Sequence, residues 1–126
     1  MSEQSERLKE RTMMFSVSVL RLIDRIPHTA GGVVIARQLA GSSTSVGANY
    51  RAACSARSRR EFISKLGIVV EETEESLYWL DVIVRATIIE ASIVTPVRQE
   101  AGELLAIFAR SLGTARANSR TLPMSR

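Results

Sequence analysis

The run from Phe62 to Val84 constrains the fold more than any other. Phe62, Leu66, Val69, Thr73, Leu77, Leu80 and Val84 recur at alternating four- and three-residue steps. That is the spacing of a helix that buries one seam against other helices; a half-buried strand would alternate with period two. Ser58-Arg59-Arg60-Glu61 stands just before the run. It fits a capping box, in which the serine oxygen accepts the Glu61 amide proton and the glutamate reaches back to the Ser58 amide. The spacing predicts that this helix ends between Thr87 and Ala91. Leu66 to Val70 is apolar all the way round, which implies cover on more than one side and hints at a subunit contact.

The flanking segments read as three more helices. The first spans Glu3 to about Arg25, with one apolar row of Met13, Val17, Leu20 and Ile23 beside a second of Phe15, Val19, Leu22 and Ile26; Pro27 ends it. The second begins at Thr29 or Ala30 and reaches about Ser55, with its stripe at Ile35, Leu39, Ser42/Ser43, Val46, Tyr50 and Ala53. Gly31, Gly32, Gly41 and Gly47 each cost about 1 kcal/mol against alanine in a helix interior, so packing must hold it. A break around Gly41–Ser43 is the competing reading. Thr95-Pro96 is expected to open the fourth helix as cap and first helical residue. Its stripe is Val97, Ala101, Leu104, Phe108 and Leu112, and it fades after Gly113.

Four helices with short connections make an all-α fold, an antiparallel up-down-up-down four-helix bundle. At 126 residues the chain reads as one domain, a bundle over 1–115 and a flexible basic tail over 116–126. Cys54 is the sole cysteine, so no intrachain disulfide is possible. The start MSEQSERLKER is too polar for a signal peptide, and no apolar run reaches the roughly 18 residues of a membrane span. A cytoplasmic protein is expected.

Catalytic chemistry finds little support. His28 is the only histidine and no glutamate stands three residues before it, so a bundle di-metal centre is not expected. Glu71, Glu72, Glu74 and Glu75 crowd together, but the seam passes through Thr73 and turns most of them outward. Cys54 lacks a histidine near it and reads as a small packer. Gly31-Gly32 lacks both a preceding strand and a following lysine, so no phosphate loop exists there. No enzyme and no cofactor or metal are expected. Asn49, beside the inward stripe, is expected to fix helix register through a buried amide.

Charge is the more informative feature. Between residues 28 and 60 stand Arg37, Arg51, Arg57, Arg59 and Arg60 without an acid; between 61 and 81 stand six acids against Lys65. Arg37 is expected level with Tyr78, within reach of Glu74, Glu75 or Asp81. Arg51, Arg57, Arg59, Arg60, Arg110, Arg116 and Arg120 are the candidates for contact with nucleic-acid phosphates. With no groove-reading helix-turn-helix, zinc-finger spacing or aromatic platform, such binding would be backbone-led and weakly sequence-specific.

Arg37-Gln38-Leu39, Ser43-Thr44-Ser45-Val46-Gly47-Ala48-Asn49-Tyr50, Glu61-Phe62 after the Arg/Ser-rich turn and the Glu-rich approach to Tyr78-Trp79-Leu80 resemble the family of four-helix bundle proteins encoded in 23S rRNA intervening sequences. A common family form carries a glutamate where this chain has Ala52. The resemblance implies a homo-oligomer, in particular a pentamer, without enzymatic activity. Relatives include the accessory variability determinant of diversity-generating retroelements, a basic ring that binds nucleic acid and a reverse transcriptase. The function expected is therefore a non-enzymatic oligomeric bundle that binds RNA or DNA through an arginine-rich surface. The alternative is an oligomeric scaffold for a protein partner such as a reverse transcriptase.

Overall fold

Ser2, Thr29 and Ser58 each cap the helix that follows. Their side-chain oxygens accept the amides of Ser5, Gly32 and Glu61, each at 3.0 Å. The helices so started are α1 (Glu3–Ile23), α2 (Ala30–Cys54) and α3 (Arg59–Arg85), followed by α4 (Ala91–Thr121). The computed structural model describes residues 2–121, with side chains as far as Ser119, and shows no strand among them.

Specific contacts set the directions of the helices. Ser16 of α1 donates to the Ser43 carbonyl at 3.2 Å, and Thr12, one turn earlier, lies against Gly47, one turn later on α2. These two helices therefore run antiparallel. Asp81 meets Arg98 while Gly67 meets Arg116, which gives α3 and α4 the same relation. Tyr50 and Phe108 bring their rings to 5.2 Å across the interior, linking α2 to α4. The result is an up-down-up-down bundle around Phe15, Val19, Leu39, Val46, Leu66, Val69, Leu80, Leu104 and Phe108, all buried.

The phase of two seams differs from expectation. On α1 only the Phe15, Val19, Leu22 and Ile26 row is buried, joined by Leu8 and Thr12. Met13 and Leu20 stay nearly half exposed, at 47% and 45%. On α3 the buried set is Leu66, Val69, Thr73, Ser76, Leu80 and Ile83, so Ser76 and Ile83 replace Leu77 and Val84, which flank the core. A hydrogen bond explains Ser76: its hydroxyl donates to that of buried Ser42 at 3.0 Å. A small polar pair admits a close α2–α3 approach that leucine would block. The Gly41–Ser43 stretch of α2 is unbroken helix.

Helix α4 starts at Ala91 rather than at Pro96, which lies inside it. Beginning earlier carries Val94, fully buried, into register with Ala101, Leu104 and Phe108. Pro96, the sixth residue of the helix, has no amide to give to the Ser92 carbonyl, a loss that the early start must outweigh. At the other end α4 runs past Gly113 to Thr121, farther than its apolar stripe alone supports. Residues 122–126 of the expected tail lie outside the described residues.

Helix α3 stops at Arg85, earlier than expected, in a left-handed cap. The amide of Ile88 donates to the Ile83 carbonyl (3.0 Å) and that of Thr87 to Val84 (3.1 Å), closing the helix end around Thr87 at φ 56°. Glycine is the usual residue there, and a β-branched side chain at positive φ is strained. Thr87→Gly is expected to raise stability by about 1 kcal/mol, read as a higher denaturation midpoint at unchanged slope.

Candidate nucleic-acid interface

The turn between α2 and α3 is held by two bonds to one residue. Ser58 Oγ accepts the Glu61 amide, while the Glu61 carboxylate accepts the Arg57 amide at 3.0 Å. The glutamate thus reaches one residue farther back than a regular capping box, to Arg57 instead of Ser58. This tie uses the acid at the turn and leaves Arg57, Arg59 and Arg60 exposed. Arg59 and Arg60 sit in the first turn of α3, where the helix dipole is positive and a cation is unfavourable. An arriving anion would meet both the arginines and the helix end.

Arg116 joins this end of the molecule. Its guanidinium lies over Gly67, 4.0 Å from where a Cβ would stand. Arg60 is two helical turns before Gly67 on the same face, about 10 Å along the axis. Arg60 and the Arg116 guanidinium therefore stand on the same side of α3. None of Arg57, Arg59, Arg60 or Arg116 forms a salt bridge within the described residues, whereas Glu3 is engaged with Arg7 and Glu6 with Lys9. Arg120 lies one turn beyond Arg116; its side chain is outside the described residues. Arg51 belongs to a different surface, the groove between α1 and α2. Arg110 is exposed on α4 two residues past buried Phe108, so it faces away from the core. The candidates thus divide into a basic end and two separate arginines.

Other expected roles are corrected. Asn49 is half-buried, but its amide donates to the Ser45 carbonyl of its own helix at 2.9 Å. It ties no second helix; the Ser42–Ser76 pair does. Arg37 is exposed and pairs with no acid among the described residues, while Asp81 takes Arg98 through bonds of 2.6 and 3.3 Å. The Arg98 hydrogen bonds hold the Asp81 carboxyl below its ordinary value, against the opposing effect of burial. In the acidic cluster Glu71, Glu74 and Glu75 are exposed and Glu72 is half-buried. Burial, then repulsion from Glu75 and Glu71, pushes the Glu72 carboxyl upward. Glu75 accepts the Trp79 indole N–H at 3.4 Å. The Tyr50 phenol is raised, chiefly by burial and then by the neighbouring Cys54 thiol.

One grip has no counterpart among the sequence expectations. Arg11 on α1 binds Glu100 through two nitrogens (2.7 and 2.8 Å) and Glu103 at 2.7 Å, closing α1 onto α4. A forked pair of this kind is directional as well as strong. Nothing in the local sequence signals a contact across so much chain. Among the described residues no three His, Cys, Asp or Glu side chains gather as a metal site requires, and no helix is long and apolar enough to cross a membrane.

The model of the 23S rRNA-intervening sequence protein family matches residues 5–110. The chain belongs to that family. The family match covers Arg51, Arg57, Arg59, Arg60 and Arg110 and ends before Arg116 and Arg120. This 23S rRNA-intervening sequence protein is also similar to a crystal structure of a protein with unknown function from the S23 ribosomal protein family of Bacteroides thetaiotaomicron VPI-5482. The likeness has a TM-score of 0.77 and 29% identity, over 82% of this chain and 96% of the other. No curated protein matches the sequence.

Proposed function

We propose that this protein is a non-enzymatic helical module that binds RNA or DNA through backbone phosphates at the end of the bundle carrying the α2–α3 turn, and that it works as a homo-oligomer. The observation that carries the reading is the exposure of Arg57, Arg59, Arg60 and Arg116 without an acid partner, while Glu61, Glu3 and Glu6 are already bound. Arginines of the basic end spent on Glu71–Glu75 would favour a pure scaffold; within the chain Arg57, Arg59, Arg60 and Arg116 make no such pair. A handful of phosphate contacts per copy is weak, and assembly multiplies it through effective concentration. Exposed Tyr78 stands far along α3 among acids, so base stacking adds nothing at the basic end.

Binding of a labelled structured RNA and a DNA duplex across a salt series tests the reading. Affinity is expected to fall steeply, with a log–log slope of about −0.9 per phosphate contacted on the duplex. Absence of binding to either at about 50 mM salt, from folded protein, would overturn it and turn attention to a protein partner.

A further inference from the structure

An apolar groove of about 390 Å³ runs along the outside of α1 and α2. Met13, Val17 and Leu20 form one wall; Thr44, Ala48 and Arg51 form the other. Arg37 lies on the same face of α2, two turns before Thr44. Both Arg37 and Arg51 are exposed and make no salt bridge within the described residues. The groove is therefore apolar at its base and cationic along its α2 rim. Exposed apolar surface of this kind marks a contact site.

The same chain carries a matching protrusion. Tyr78 on α3 is 60% exposed, more than any other large apolar side chain described. Its ring is braced edge-on by Trp79 at 5.0 Å, which is itself held by Glu75. Glu71, Glu74 and Glu75, all exposed, stand one to two turns before it. We infer that Tyr78 of one copy seats in the α1–α2 groove of a second copy, with Glu71, Glu74 and Glu75 facing Arg37 and Arg51. This rests on the assembly part of the reading above and leaves the basic end free for nucleic acid.

Size, polarity and sign all agree. Tyrosine offers a rigid apolar body with a polar tip, suited to a groove with a wet rim. Met13 is an adaptable partner for an aromatic ring, and Arg51 supplies a cation within the groove wall. A braced Tyr78 loses little freedom on docking. Helices α1 and α2 carry the groove and α3 carries the protrusion, so the contact joins two different faces. Such a head-to-tail contact propagates from copy to copy and closes as a ring when the rotation permits.

Charge reversal tests it. Light scattering at micromolar concentration would compare wild type, a rim variant (Arg37→Glu/Arg51→Glu), an acid-face variant (Glu71→Arg/Glu74→Arg/Glu75→Arg) and the chain with all five changes. Circular dichroism would confirm helicity in each. Wild type is expected to assemble, each single-face variant to fall to the 13.9 kDa of one chain, and the five-fold variant to assemble again. Tyr78→Ala is expected to loosen the oligomer at least tenfold. A monomeric wild type would retire the assembly reading itself. An oligomer indifferent to both reversals, or a five-fold variant that stays monomeric, would overturn the pairing of these two faces. Wild type that assembles only with an added acidic, tyrosine-bearing helical peptide would assign the groove to a foreign partner.

Discussion

Gly32→Ala is expected to destabilise the protein by about 3 kcal/mol, more than its chemistry implies for a helix. The Cβ would overlap the Pro27 carbonyl oxygen and crowd Thr29 Oγ1 at 3.0 Å and Ile26 Cγ2 at 3.1 Å. The chain doubles back between α1 and α2 over these residues, and Gly32 also donates the capping bond to Thr29. Backbone on one side and a cap on the other leave the methyl nowhere to go. The thermal midpoint should fall by roughly 10 °C. Gly41→Ala is the matched control, since open space surrounds that position. There alanine should stabilise by about 0.5–1 kcal/mol through helix propensity alone. A Gly32→Ala protein that melts with wild type would refute the close approach of the α1–α2 turn.

Phe108→Ala should cost about 4 kcal/mol, the upper range for emptying a core site. Phe108 is fully buried and its ring meets Tyr50 at 5.2 Å with a 40° tilt, so the loss strikes the aromatic pair that joins α2 to α4. Phe108→Leu keeps most of the volume and should cost about 1.5 kcal/mol or less. Tyr50 provides an internal reporter. Burial is the leading reason its phenol is raised above 10.0, so opening a cavity beside it should bring its titration back toward that value. The sign follows: a raised folded value means the buried phenol's contribution is intact below about pH 10 and is lost as pH climbs above it. Denaturant midpoints and a spectrophotometric tyrosine titration would check both halves.

The fold was legible because three-and-four spacing, caps and proline are local signals. The stripe of α2 was readable despite its glycines, since Ile35, Leu39, Val46 and Tyr50 keep period while Ser42 and Ser43 occupy core phase as small residues. Where expectation and structure part, a partner helix decided. Ser76 is buried because Ser42 waits opposite, and no local scale ranks serine above Leu77. Val94 drew α4 into helix ahead of Pro96, against the usual meaning of Thr-Pro. The basic end was half legible. Arg57, Arg59 and Arg60 are neighbours in sequence, but that Arg116 joins them, and that Arg51 does not, depends on helix phase and on the packing of α4 over Gly67. Arg11 with Glu100 and Glu103 lay beyond any local pattern.

The measurement that bears most directly on the basic end is the salt dependence of duplex DNA binding for Arg57→Ala/Arg59→Ala/Arg60→Ala beside Arg21→Ala/Arg25→Ala. The second pair removes two exposed charges at the opposite end of the bundle, so it shows what charge lost away from the turn does to binding. The triple variant should bind more weakly with a shallower log–log slope, by about 0.9 for every phosphate that each bound unit ceases to neutralise, while the control keeps the wild-type slope. Equal slopes for wild type and the triple variant, or weakening confined to the control, would contradict phosphate binding at the α2–α3 turn.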